Sequence, residues 1–241
     1  MKKEFQLKKG DNKVALLIDP DWASKNDWLL DVMLLVNQSG IDLILVGGSL
    51  VFNIDKLDEI IITIKKLSSI PVYLFPGHPT QISKHADGIL FLSLISGRNP
   101  ELLIGQHVVS APIIKSYNLI VAPTGYMIIG HSSTSVHYMS QTHPLPANKS
   151  DIAVATALAG EMLGLKFIYM DGGSGAEKEI SQKLISAVSD QISIPLIIGG
   201  GIDHPDKVKE AFDFGADLVV IGTAIEKMPE MLTQLKPKIR L

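Results

Sequence analysis

Eight short apolar runs, rich in valine, isoleucine and leucine, recur along the chain and constrain its fold more than any other feature. They are Val14–Ile18, Leu43–Val46, Val72–Phe75, Gly88–Leu92, Leu119–Ala122, Phe167–Met170, Leu196–Ile198 and Leu218–Ile221. Each is apolar nearly throughout, so each reads as a strand covered on both faces, as in a parallel sheet. Segments of helical period lie between most of them: Trp28–Val36, ended by Gly40, then Ile54–Leu67, Ile180–Val188 and Pro205–Phe212. Asp203 is the expected cap of the last, with Pro205 in its first turn. Eight strands alternating with helices in 241 residues predict an α/β fold, a single (β/α)₈ barrel domain over 1–241. No repeated motif, low-complexity segment or linker points to a second domain.

Two connections depart from this regular pattern. Pro76–Asp87 holds two prolines and has room for only one short helix. From Pro123 to Lys149 the chain is long, polar and proline-bearing, and a connection of that length at a barrel mouth is expected to be functional.

Composition narrows the function classes. Lys and Arg number 22 against 25 Asp and Glu, a net charge of −3, which argues against a nucleic-acid binder. With no cysteine there is no disulfide framework, thiolate zinc site or cysteine nucleophile. Met1–Lys9 lacks the apolar core of a signal peptide, and no run of about 18 apolar residues marks a membrane span. The expectation is a cytoplasmic protein without stable membrane insertion. A hydrophobic content of 46% and apolar helices such as Trp28–Val36 leave surface to spare for a homo-oligomer.

Three glycine-rich turns follow the last three runs: Asp171-Gly172-Gly173-Ser174-Gly175-Ala176, Gly199-Gly200-Gly201-Ile202 and Gly222-Thr223-Ala224. Glycines make tight turns, but three converging turns at a barrel mouth suit a phosphate, because bare backbone amides approach an anion closely. They hold no lysine or arginine, so amides would bind, helped by the Ser174 and Thr223 hydroxyls. Asp19 ends the first run and points into the mouth, expected across from the glycine turns. Its hard carboxylate suits Mg²⁺, with Ser49 after Gly47-Gly48 as a second oxygen. Capping the turn at Pro20 is the competing role for Asp19, and Asp21 suits it better. Tyr169 and Asp171 share one face of the sixth run and should point to the barrel axis. Asp171 is therefore a general base or a turn aspartate. His131, His137 and His143 lack the spacing of a zinc site.

Taken in order, several stretches resemble the geranylgeranylglyceryl phosphate synthase family of prenyltransferases over nearly the whole chain. They are Leu17-Ile18-Asp19-Pro20-Asp21, Val46-Gly47-Gly48-Ser49, Leu74-Phe75-Pro76-Gly77, Pro123-Thr124-Gly125-Tyr126, Pro144–Ala153 and Tyr169–Ala176. The resemblance implies a modified barrel whose third helix is replaced by a short mobile segment, in keeping with Pro76–Asp87. It implies Mg²⁺-dependent transfer of a geranylgeranyl group from geranylgeranyl diphosphate to the 3-hydroxyl of sn-glycerol 1-phosphate. Asp19 and Ser49 would hold the metal. Tyr169, Met170, Asp171, Gly172, Gly173, Ser174, Gly175, Gly200, Gly201, Gly222 and Thr223 would hold the glycerol phosphate, with Asp171 and Tyr169 catalytic. Tyr126 would lie along the prenyl groove, and the protein would be a dimer or hexamer.

The family usually carries glutamate where this chain has Asp171. Leu17 stands where some bacterial relatives have lysine, which places the chain nearer the archaeal-type branch; heptaprenylglyceryl phosphate synthases are also related. Two other classes share such a barrel. A sugar-phosphate isomerase or epimerase needs acid and base on opposite substrate faces and no long apolar groove. A non-catalytic phosphometabolite-binding barrel needs none of Asp19, Ser49 and Asp171.

Overall fold

The computed structural model describes residues 2–23, 27–48, 54–130, 135–176 and 179–235. Eight parallel strands close into a barrel in chain order: β1 (Lys13–Ile18), β2 (Leu43–Val46), β3 (Val72–Leu74), β4 (Gly88–Leu94), β5 (Ile120–Ile128), β6 (Phe167–Asp171), β7 (Leu196–Gly199) and β8 (Leu218–Ile221), which returns to β1. Around it lie α1 (Pro20–Ala23), α2 (Trp28–Ser39), α3 (Ile54–Leu67), α4 (Gln106–Ser116), α5 (Ser135–Ser140), α6 (Ser150–Met162), α7 (Gln182–Ser189), α8 (Pro205–Asp213) and α9 (Thr223–Lys227). Between β3 and β4, where every residue is described, there is no helix. Among the described residues, no helix is long and apolar enough to cross a membrane.

The strands are apolar nearly throughout because each serves two cores. Ala15, Leu43, Leu45, Tyr73, Leu90, Tyr169, Ile197 and Val220 fill the barrel interior. Their neighbours Leu16, Ile18, Ile44, Ile168, Met170, Ile198 and Val219 point outward and are covered by helices. This period of two also decides which residues at the strand ends face the mouth.

β5 is longer than the expected Leu119–Ala122, because Pro123-Thr124-Gly125 reads as a loop but continues the strand. Pro123 has no amide to lose, and its carbonyl accepts the Lys166 amide at 2.9 Å. At Gly125 a Cβ would stand 2.8 Å from Ile95 Cδ1, and one at Gly160 of α6 would meet the same methyl at 2.8 Å. Two absent side chains thus make room for Ile95 between strand and helix. α8 departs from expectation as well. His204, not Asp203, caps it, its Nδ1 accepting the Asp206 amide at 3.2 Å.

The opposite end of the barrel carries a short repeat that sequence inspection did not single out: an aspartate just before a strand. Asp42, before β2, accepts the Val14 amide of β1 at 3.0 Å. Asp87, before β4, accepts the Val72 amide of β3 at 3.0 Å, and Asp217, before β8, accepts the Leu196 amide of β7 at 2.6 Å. Each carboxylate reaches the start of the preceding strand and so pins the register of one pair.

Asp87 is wholly buried and also accepts from the Lys3 amide at 3.1 Å and Lys65 Nζ at 2.6 Å. Asp87→Ala strands these donors, so the expected loss is about 3 kcal/mol of unfolding free energy. A urea titration should show a lower midpoint with an unchanged slope; an unchanged midpoint would refute the tie.

Candidate functional site

At the carboxyl ends of the strands the barrel opens into a cavity of about 570 Å³. A cavity of similar size, about 590 Å³, is a surface groove lined by Lys2, Lys65, Lys66 and Lys84, away from the carboxyl ends of the strands. Only the first gathers carboxylates, tyrosines and glycine turns. Asp19, Tyr126, Tyr169, Asp171, Gly173, Ser174, Gly175, Gly200, Gly201, Gly222 and Thr223 all line it. Met170 does not contribute its side chain. It sits one residue out of phase, fully buried in the outer core. Ser49 and His131 lie outside the described residues.

The centre of the cavity is a carboxylate held by two donors. The Gly173 amide donates to Asp171 Oδ1 at 2.7 Å, and the Tyr126 hydroxyl donates a short hydrogen bond to Oδ2. Tyr126, expected along a prenyl groove, lines the cavity with its hydroxyl on the acid. Its ring meets Tyr169 edge-on at 5.3 Å, and Phe75 completes the cluster at 6.0 Å from Tyr126 and 5.6 Å from Tyr169. Sequence inspection left Phe75 out of the site; the signal was its place at the end of an inward-facing run. Gly199 is needed for the same cluster, since a Cβ there would stand 2.3 Å from the Tyr169 hydroxyl.

Burial sets the protonation pattern. It pushes the Asp171 carboxyl above the usual aspartate range, while the bonds from Tyr126 and Gly173 pull it back. Burial, and then the charge of Asp171, hold Tyr126 and Tyr169 well above an ordinary phenol. Both tyrosines therefore stay protonated and serve as donors.

The three glycine turns divide their amides between structure and cavity. Gly172 donates to the Gly199 carbonyl at 2.9 Å, and Gly173 is committed to Asp171, so neither amide is free for an anion. Among the described residues, the amides of Gly200, Gly201 and Thr223 meet no acceptor in the protein. Gly200 has φ of +83°, and a Cβ there would lie 2.7 Å from the amide nitrogens of both Gly172 and Gly173. Only glycine fits that crossing. Ser174 Oγ and Thr223 Oγ1 stand 3.0 Å apart and join the first turn to the third.

Asp19 differs from expectation in two respects. Its Oδ1 accepts the Asp21 amide at 2.8 Å, so Asp19 rather than Asp21 caps α1. It also stands beside the third turn rather than across from it, because β1 pairs with β8 and Leu17 Cβ is 3.5 Å from a Cβ built at Gly222. Besides capping α1, Asp19 lines the cavity. Among the described residues, no group of three or more His, Cys, Asp or Glu forms a metal cage. A single hard carboxylate is the donor set of a cation that takes its other ligands from substrate oxygens and water, the usual habit of Mg²⁺.

Comparison with known proteins places these features in context. Residues 8–237 match the PcrB family. The geranylgeranylglyceryl phosphate synthase of Chitinophaga pinensis is 49% identical over 228 residues, covering 94% of this chain and 90% of that protein. The enzyme of the same name from Spirosoma linguale is 46% identical over 232 residues, covering 96% and 92%. Among solved structures, (S)-3-O-geranylgeranylglyceryl phosphate synthase from Thermoplasma acidophilum, in complex with its substrate sn-glycerol-1-phosphate, superposes with a TM-score of 0.89 at 29% identity. That match covers 95% of this chain and 94% of that one.

The raised Asp171 makes stability depend on pH in a definite sense. Below about pH 3.9 the carboxyl is protonated folded and unfolded, and its burial adds no ionisation cost. As pH rises through the higher folded value, only the unfolded chain gains fully solvated charge, and the fold loses stability. Asp171→Asn removes that dependence. The melting temperature of the variant, relative to the parent, should rise as pH climbs above about 4 and level off once the folded carboxyl has ionised. A difference that is flat, or that falls with pH, would contradict the buried-acid picture.

Proposed function

The chain belongs to the PcrB family, and from that premise we propose that it is a prenyltransferase joining a geranylgeranyl group to the 3-hydroxyl of sn-glycerol 1-phosphate. One observation carries the reading: a buried, doubly held carboxylate and three glycine turns share a single cavity. An acceptor that carries a phosphate at one end and a hydroxyl to be deprotonated at the other matches that pair.

Bond changes assign the roles. The bond between the allylic carbon and the diphosphate breaks, with the electron pair leaving on the diphosphate. The acceptor oxygen bonds the allylic carbon, and its proton passes to Asp171. Each carboxylate oxygen of Asp171 accepts one hydrogen bond and keeps a second lone pair, so the base is oriented and still competent. Aspartate is one methylene shorter than the family's usual glutamate, and the ties to Tyr126 and Gly173 set its reach. The amides of Gly200, Gly201 and Thr223 grip the phosphate and hold the hydroxyl over the allylic carbon. Tyr169, kept protonated, is a donor to the acceptor. Phe75 and Leu92 give the cavity an apolar wall for the prenyl chain.

Asp19 would hold Mg²⁺, with Ser49 adding an oxygen. Bound there, the ion would neutralise charge gathering on the departing diphosphate. A homo-oligomer, dimer or hexamer, is supported by exposed apolar residues on α4 (Val108 and Val109), beside it (Ile104) and on α2 (Leu30 and Leu34).

The deciding assay offers the purified protein sn-glycerol 1-phosphate with prenyl diphosphates of several lengths and looks for the ether product. No transfer with any donor would overturn the proposal. In the active protein, Asp19→Ala should lower turnover about a hundredfold, equivalent to about 2.7 kcal/mol of lost charge stabilisation, and abolish its response to Mg²⁺. Full Mg²⁺-dependent activity in that variant would remove Asp19 from the metal site.

Gly200→Val tests the phosphate turns. It should raise KM for glycerol 1-phosphate by about 2–3 kcal/mol in binding terms, with little change in KM for the prenyl diphosphate. Circular dichroism confirms that the variant folds; equal movement of both constants would place the acceptor phosphate elsewhere.

A further inference from the structure

The glycine turns come from separate loops, so the shape of the anion site depends on whatever ties those loops together. One tie, between Ser174 and Thr223, lies inside the cavity. The other lies behind it, on Lys207 of α8. Its Nζ is 2.9 Å from Glu179 Oε2, in the loop after β6, and 2.9 Å from Asp203 Oδ1, in the loop after β7. It also reaches the Gly201 carbonyl at 3.4 Å. Asp203 and Gly201 both line the cavity.

We propose that Lys207 is a positioning residue for the acceptor phosphate: it clasps the loop after β6 to the loop after β7 and cancels two carboxylates beside the anion site. The proposal rests on the glycerol phosphate reading above. Two arguments support it. Exposed ion pairs contribute little to stability, so a lysine shared by two loops is poorly explained as a fold stabiliser. These particular loops also cross at backbone contact, as the position of Gly200 against the Gly172 and Gly173 amides shows. A small relative slide would therefore displace the amides that the phosphate needs, and catalytic positioning tolerates little displacement. Without the ammonium, Glu179 and Asp203 would repel each other and also repel any anion held at Gly200 and Gly201. The hydrogen bond from Lys207 keeps Glu179 below the usual glutamate range, and Asp203, then Glu179, raise Lys207, so the clasp is charged at neutral pH.

Steady-state kinetics with Mg²⁺ present, together with calorimetric titration of inorganic phosphate, test this. Lys207→Met should raise KM for glycerol 1-phosphate about tenfold, with kcat and the prenyl diphosphate KM within about twofold. Phosphate affinity should fall in parallel. Lys207→Arg should restore most of the loss. Adding Glu179→Gln and Asp203→Asn to Lys207→Met should recover about threefold, by removing the uncancelled charge. The proposal is overturned if Lys207→Met leaves both the acceptor KM and phosphate affinity unchanged. It is equally overturned if acceptor KM, donor KM and kcat all worsen together, since that is general loosening of the fold. If the parent protein transfers no prenyl group, the functional reading fails, and the phosphate titration still decides the role of Lys207.

Discussion

The register of eight closed parallel strands is the constraint on which the rest of this protein depends. Side chains alternate with a period of two, so a slip of one residue in β6 would bury Asp171 under helices and turn Met170 into the mouth. Hydrophobic patterning alone guards poorly against such a slip, because both faces of every strand are apolar. The guard lies at the other end of the barrel, where Asp42, Asp87 and Asp217 each hold an amide at the start of the preceding strand, those of Val14, Val72 and Leu196. A carboxylate bond to one particular amide has a single correct register, whereas apolar packing has several tolerable ones.

At the mouth the same closure creates a carboxylate that the fold would be more stable without. Asp171 is buried, and ionising it inside the barrel costs free energy that water would otherwise offset. Tyr126 and Gly173 reduce that cost and also fix the direction of both oxygens. The bonds that stabilise the charge are thus the bonds that orient the carboxylate. A group poised this way is typical of sites where chemistry, rather than packing, has chosen the residue.

Much of this was legible in the sequence. The eight apolar runs, the inward parity of Tyr169 and Asp171 and the glycine turns all follow from period and turn chemistry, which act over a few residues; the two prolines of Pro76–Asp87 left room for one short helix, and its absence was implied only by the family resemblance. The resemblance of the ordered motifs to one prenyltransferase family was legible for the same reason, since each motif is local.

What the tertiary structure alone decided are relations between distant residues. The Tyr126 hydroxyl and Asp171 are 45 positions apart and meet only because β5 lies beside β6. Asp19 stands next to the third glycine turn, not across from it, because closure brings β1 against β8. β5 extends through Pro123-Thr124-Gly125 because those residues pair with β4 on one side and, from Thr124, with β6 on the other, which no local rule anticipates. The amides of Gly172 and Gly173 are committed to protein acceptors, while that of Gly200 meets none among the described residues. Local sequence specifies which turns form; only the packing of one turn against another decides which of their hydrogen bonds remain to be made.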